Sequence, residues 1–217
     1  MFDSVTARRM MVDGQVRTAD VTNPDLIAAM LAVPRERFVP SSAAGLAYSD
    51  ADIAIGAGRV LLKPMVLAKL IQAVSVKSGD RVLDVGCGTG YSSAVLARLA
   101  GSVVALEQDA ALASAAKTAL AAAGAANVEV VTGPLTEGWP ATAPYDVILF
   151  NGAVEITSDA IGGQLKPSGQ LACIFGRGPG AKATLYRLIE GRLVGRPIFD
   201  AAAPLLPGFV APPAFVF

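Results

Sequence analysis

Two carboxylates and three alternating glycines are the residues of this sequence whose types and spacing could do chemistry. The segment Val82-Leu-Asp-Val-Gly-Cys-Gly-Thr-Gly-Tyr91 sets Gly86, Gly88 and Gly90 after an apolar run and before a helical pattern. Glycine permits a tight turn and lets a ligand come close to the main chain. The start of the following helix adds free N–H groups and the positive end of a dipole. Glu107 closes the next apolar run, nineteen residues beyond Gly88. A carboxylate at that place can accept both hydroxyls of a ribose. Asp84 stands two residues before the first glycine, where its charge can hold a cationic amino group. Cys87, Thr89 and Gln108 complete the expected lining of the turn and of the strand end beside it.

The glycine spacing separates two classes of nucleoside ligand. Dinucleotide oxidoreductases use G-x-G-x-x-G around a pyrophosphate. Here the pattern is G-x-G-x-G, with an acidic residue before it. Leu165-Lys166-Pro167-Ser168-Gly169 closes a helix and opens a strand, and closely resembles the L-K-P-G-G turn of class I methyltransferases. These features favour S-adenosylmethionine, with S-adenosylhomocysteine as its product, over a nicotinamide cofactor. A nicotinamide-dependent oxidoreductase remains the competing enzyme class.

Composition removes other chemistries. The 217 residues include no histidine, which excludes Ser-His-Asp and Cys-His nucleophile pairs and any zinc site needing imidazole. Cys87 and Cys173 match no metal spacing and read as reduced, core-type thiols. No metal is expected. Lys+Arg and Asp+Glu both total 18, so the basic excess of a nucleic-acid footprint is missing. Apolar residues make up 53%, but no run of about 18 uninterrupted apolar residues appears, so no membrane partner is expected. Nor does an apolar segment of signal-peptide type follow Met1-Phe2-Asp3-Ser4, and the expected location is the cytoplasm.

The elements that must position these residues can be read from periodicity. Residues 1–76 form a helical region with Pro and Gly punctuation. Asn23 caps a helix that opens at Pro24, and Pro64 opens a second one. Tyr48 through Gly58 reads as loop. From residue 77 to 199, strands at 81–85, 102–106, 128–131, 145–150 and 170–175 alternate with helices at 91–99, 109–123 and 157–165. Near-continuous apolar strands between helices predict a parallel sheet covered on both faces, a doubly wound α/β fold. Ala183 to Ile189 and Leu193 to Phe199, joined by Glu190-Gly191, predict an antiparallel hairpin at the sheet edge. The expectation is therefore one domain with a mostly parallel, seven-stranded Rossmann-like sheet, an antiparallel C-terminal hairpin and an N-terminal helical extension. Residues 200–217 are expected to run as an extended apolar tail docked on their own domain, which favours a monomer.

Several separate segments resemble the protein-L-isoaspartate O-methyltransferase family. They are Met11-Val-Asp-Gly-Gln15, Val33-Pro-Arg-Glu-Arg-Phe-Val-Pro40, Ala47-Tyr-Ser-Asp50, the glycine turn with Glu107, Gly138-Trp-Pro140, Ala143-Pro-Tyr-Asp146 and Leu165-Lys-Pro167. The resemblance covers about residues 8 to 176. It implies methylation of a carboxylate on damaged aspartyl residues of peptides or proteins, as a form of protein repair. By the same resemblance Asp84 and Gly86 to Gly90 would bind the methionine part of the cofactor, and Glu107 the ribose.

The chain departs from that family at two places. The family's I-G-x-G-x-T-x-S-x-P stretch reads here Ile55-Gly-Ala-Gly-Arg-Val-Leu-Leu-Lys-Pro64. Val60 and Leu62 take the threonine and serine positions beside the acceptor. A carboxylate acceptor so deprived loses hydrogen bonds worth roughly 1.5–3 kcal/mol each. The family's G-D-G, which contacts adenine, is Gly133-Pro134-Leu135 here, leaving apolar packing, backbone groups, Thr136 or Glu137 for that contact. With the catalytic residue undefined, Arg59, Lys63 and Asn151 are the candidates to orient an anionic acceptor. The plainer alternative for Arg59 and Lys63 is two solvated surface cations, and for Asn151 a strand-end cap. Tyr91 is expected to pack. The departures leave a changed acceptor open, and also a cofactor-binding module that does not methylate isoaspartyl peptides.

Overall fold

The computed structural model describes residues 3–212. The expected apolar end of the tail, Phe215-Val-Phe217, lies outside the described residues. Two short helices come first, α1 (Ser4–Met11) and α2 (Pro24–Ala32). Asn23 caps α2 as its sequence predicts, accepting from Asp25 N at 2.9 Å and Leu26 N at 3.1 Å. Next, β1 (Ile53–Gly56) and β2 (Arg59–Leu61) form a small antiparallel hairpin, and α3 (Pro64–Ala73) leads into the main sheet.

The sheet uses β3 (Arg81–Val85), β4 (Ser102–Glu107), β5 (Val128–Thr132), β6 (Tyr145–Val154), β7 (Leu165–Phe175), β8 (Lys182–Ile189) and β9 (Arg192–Asp200). Its order is β5-β4-β3-β6-β7-β8-β9. The first five pair in parallel, and β8 and β9 add antiparallel at one edge. Helices α4 (Tyr91–Leu96), α5 (Ala110–Ala122) and α6 (Asp159–Gly162) fill the crossovers. This is the doubly wound α/β sheet that the alternation predicts. Each face carries its own buried apolar cluster. The strand order reverses between β3 and β6, and in such sheets the crevice at the reversal is where ligands bind.

Three local differences from the sequence expectation are found, two of them with a clear physical cause. The loop expected over 48–58 contains β1, and the turn to β2 is closed by Gly56, Ala57 and Gly58, all at positive φ. Strands of four and three residues are too short for periodicity to reveal. The region 1–76 is therefore not helical throughout. The helix expected over 157–165 shrinks to Asp159–Gly162, because Leu165 already pairs with Tyr145 in the sheet. The helix after the glycine turn stops at Leu96 rather than Leu99.

The tail runs back across the sheet. Leu206 N donates to Ala153 O at 2.8 Å, and Ala153 N to Pro204 O at 2.9 Å. Leu206 and Phe209 are fully buried, with Phe209 edge-on to Phe150 at 5.3 Å between ring centroids. Over residues 200–212 the tail docks onto its own chain, as expected for it.

Candidate functional site

Parallel pairing puts Asp84 near the end of β3 and Glu107 at the end of β4, on neighbouring strands either side of the glycine turn. The turn itself has Gly86, Gly88 and Gly90 at φ of 69°, 58° and 92°, a conformation L side chains rarely adopt. Gly90 has a second reason to be glycine, since an added Cβ would lie 3.0 Å from Leu120 of α5.

Asp84 is completely buried and held by neutral donors. Ser92 Oγ donates at 2.7 Å, Ser93 Oγ at 2.5 Å, and Asn151 Nδ2 donates to the other oxygen. Burial pushes its pKa up to about 6, against the pull of these hydrogen bonds, and the nearby Glu107 charge adds a little. Ser92 and Ser93 were not singled out from the sequence. Their place in the first turn after the glycines, facing back toward β3, is the signal that could have found them. Asn151 is thus more than a strand-end cap, for its amide orients Asp84.

Glu107 is 1% exposed and accepts from Gly88 N at 2.8 Å, Gln108 N at 2.8 Å and Asp109 N at 3.2 Å. Its remaining partner is Arg59. Arg59 Nη1 lies 3.1 and 3.0 Å from the two carboxylate oxygens, and Nη2 donates to Gly86 O at 2.6 Å. The expectation of a solvated Arg59 is corrected here, because the side chain is only 4% exposed. An ion pair with a buried carboxylate outweighs the base rate that keeps arginines at the surface. Strand alternation carried the missed signal. Arg59 and Leu61 share a face of β2, and Leu61 is buried.

Lys63 stays half-buried and offers its backbone N–H to Asp52 at 2.8 Å. Leu62 is buried in the main core, and Val60 packs against the same cluster. The positions of the two missing hydroxyls are therefore filled with hydrocarbon. Arg35, from the Pro-Arg-Glu segment, fixes this stretch by donating to Leu62 O and Ala47 O at 2.7 Å each. Thr89 donates to Phe38 O at 2.5 Å, which ties the glycine turn to the N-terminal region. Tyr91 packs edge-on to Phe38, at 5.7 Å. Cys87 is buried, and burial raises its thiol well above the usual range. Gln108 and Pro134 are exposed, while Leu135 is buried in the second core cluster. Gly208 of the tail covers Thr136.

Two buried carboxylates, acceptors for hydroxyls and an amino group, flank the glycine turn and suit a nucleoside joined to an amino acid. The space over that turn is filled by this chain. A Cβ built on Gly86 would lie 2.7 Å from Arg59 Nη2 and 3.1 Å from Leu206, and one on Gly88 would lie 2.5 Å from Ile55 Cδ1. All three are ends of flexible side chains, not backbone, so the crevice can be opened by rotamer changes. Beside it lies a cleft of about 260 Å³ lined by Ala57, Arg59, Glu107, Gln108, Asp109 and Pro207. A larger hollow of about 540 Å³, lined in part by Asp25, Lys77 and Arg98, lies by the amino-terminal ends of the strands, away from this chemistry.

The sequence model of the protein-L-isoaspartate(D-aspartate) O-methyltransferase family matches residues 7–187. A protein-L-isoaspartate O-methyltransferase of Methylorubrum extorquens is 42% identical over 186 residues, which is 86% of this chain and 80% of that protein. One from the archaeon Methanoculleus marisnigri is 36% identical over 193 residues, covering 88% of this chain and 87% of its own. Among solved structures, a protein-L-isoaspartate O-methyltransferase superposes with TM-score 0.79 at 25% identity, over 95% of this chain and 66% of that one. A Plasmodium falciparum structure described as a putative member, in complex with S-adenosyl-L-homocysteine, has TM-score 0.77 at 16% identity, over 95% of this chain and 99% of that one, and shows the shared fold. With the family model spanning the glycine turn, both carboxylates and most of the sheet, this chain belongs to the protein-L-isoaspartate(D-aspartate) O-methyltransferase family.

Proposed function

We propose that this chain is an S-adenosylmethionine-dependent methyltransferase that acts on a carboxylate of isoaspartyl or D-aspartyl residues in peptides and proteins. The observation that carries it is the pair of buried carboxylates, Asp84 and Glu107, at adjacent strand ends around a turn of positive-φ glycines. Asp84 with Gly86 to Gly90, Cys87 and Thr89 included, would hold the methionine part. Glu107 and Gln108 would hold the ribose, and Pro134 with Leu135 the adenine. When bound, the cofactor supplies an activated methyl group on a sulfonium, a good leaving group. What the protein adds is alignment of the acceptor, so a chain without histidine is sufficient.

On the acceptor side, Val60 and Leu62 exclude water, and Lys63 supplies positive charge next to them. Arg59 is already engaged by Glu107. The reading assigns one domain to residues 1–217, with 1–76 on the substrate side, 77–199 as the cofactor core and 200–217 as the tail. It places the protein in the cytoplasm as a monomer with a role in protein repair. No helix among the described residues is long and apolar enough to cross a membrane. A methyl-transfer assay with an isoaspartyl peptide tests the reading, alongside calorimetry with S-adenosylhomocysteine. Turnover with cofactor binding supports it. Binding without turnover favours the second reading, a cofactor-holding module, which draws on the hydrocarbon at Val60 and Leu62.

A further inference from the structure

We propose that Arg59 sets the affinity of the cofactor site by competing for it: its guanidinium holds Glu107 in the free chain, and a nucleoside enters only as it leaves. The inference rests on the cofactor site proposed above. Three observations carry it. First, Arg59 takes the carboxylate that would otherwise receive ribose hydroxyls, with Nη1 within 3.1 Å of both Glu107 oxygens. Second, the same guanidinium lies over the glycine turn. Nη2 is 2.6 Å from Gly86 O and would be 2.7 Å from a Cβ at Gly86, so the guanidinium fills the space directly over the turn. Third, the position is built rather than incidental. The β1–β2 hairpin, with its three positive-φ residues Gly56, Ala57 and Gly58, carries Arg59 over the crevice, and Ile55 from the same hairpin covers Gly88.

The arrangement is reversible. Arg59 reaches the site through a flexible side chain, and the cleft of about 260 Å³ beside Ala57, Gln108 and Asp109 borders it. Apparent affinity is the intrinsic affinity scaled by the fraction of chains with the site open. A residue that keeps most chains closed therefore weakens binding without touching the bound ligand.

The test is calorimetry of the full chain with S-adenosylhomocysteine as the probe, comparing the wild type with Arg59→Gln and Arg59→Ala. Both variants are expected to bind at least about tenfold tighter than the wild type, through the larger open fraction. Equal or weaker binding by variants that unfold cooperatively overturns this proposal alone. Absence of binding by the wild type and both folded variants overturns the proposed function together with it. Should the variants not fold, the structure of the wild type with the same probe bound decides. Arg59 displaced from Glu107 supports the proposal, and Arg59 still paired to Glu107 beside a bound nucleoside overturns it.

Discussion

Burial changes how readily Asp84 gives up its proton. It is fully buried among neutral donors, and burial lifts its pKa to about 6, above the roughly 3.9 of an unfolded chain. The folded protein therefore binds this proton more tightly than the unfolded one. Its contribution to stability is fully present below about pH 4 and is lost as the pH rises through about 6. Urea unfolding between pH 4 and 7 should show that loss in the wild type, on the order of 2–3 kcal/mol, and not in Asp84→Asn. The readout is the pH slope, which the constant cost of the substitution does not change. A second residue-scale prediction concerns the acceptor side. Restoring the hydroxyls with Val60→Thr and Leu62→Ser should raise transfer to an isoaspartyl peptide. Leu62 is buried in the core, so its truncation should also cost about 2–5 kcal/mol, and unfolding must be measured beside activity. At this scale the sequence made Asp84 and Glu107 legible, because strand ends and glycines mark them. It did not reveal the Arg59 partnership, since Glu107 lies far along the chain and charge pairing across that distance has no local pattern.

At the scale of elements, single residues at the helix ends and crossings can be tested. Asp109 caps α5 by accepting from Leu112 N at 2.9 Å, just after Glu107. Asp109→Ala should lower stability by about 1 kcal/mol in thermal unfolding. Gly90 lets α4 approach α5, with Leu120 at 3.0 Å and Ala116 at 3.3 Å from an added Cβ. Gly90→Ala should cost about 1–3 kcal/mol through overpacking, on top of the left-handed backbone it must keep. The strands from Arg81 onward and the long helix α5 were legible because each spans enough residues for its apolar period to show, whereas α6, at four residues, does not. The β1–β2 hairpin was not. Its turn puts Ala57 at φ 51°, a conformation that alanine does not advertise, and its strands have four and three residues. The element that carries Arg59 is thus the one that local sequence describes least.

For the whole molecule, the tail closes what the sheet leaves open. Leu206 packs within 2.6 Å of a Cβ placed at Gly152 and 3.1 Å of one at Gly86, while Phe209 seals the second core cluster. Phe209→Ala should cost about 3–5 kcal/mol in urea unfolding, as for other buried aromatics. That an apolar, proline-rich segment would dock was legible from composition. Its path over the glycine turn was not, because that path is set by backbone pairing with Ala153 rather than by any local pattern. The Arg59–Glu107 pair, at 4% and 1% exposure, has one more consequence, and it lies in time. An entrant that must wait for a buried pair to part cannot hasten the parting by crowding at the door. In stopped-flow mixing, the observed rate of association should level off as ligand concentration rises, at the frequency with which the guanidinium lets go.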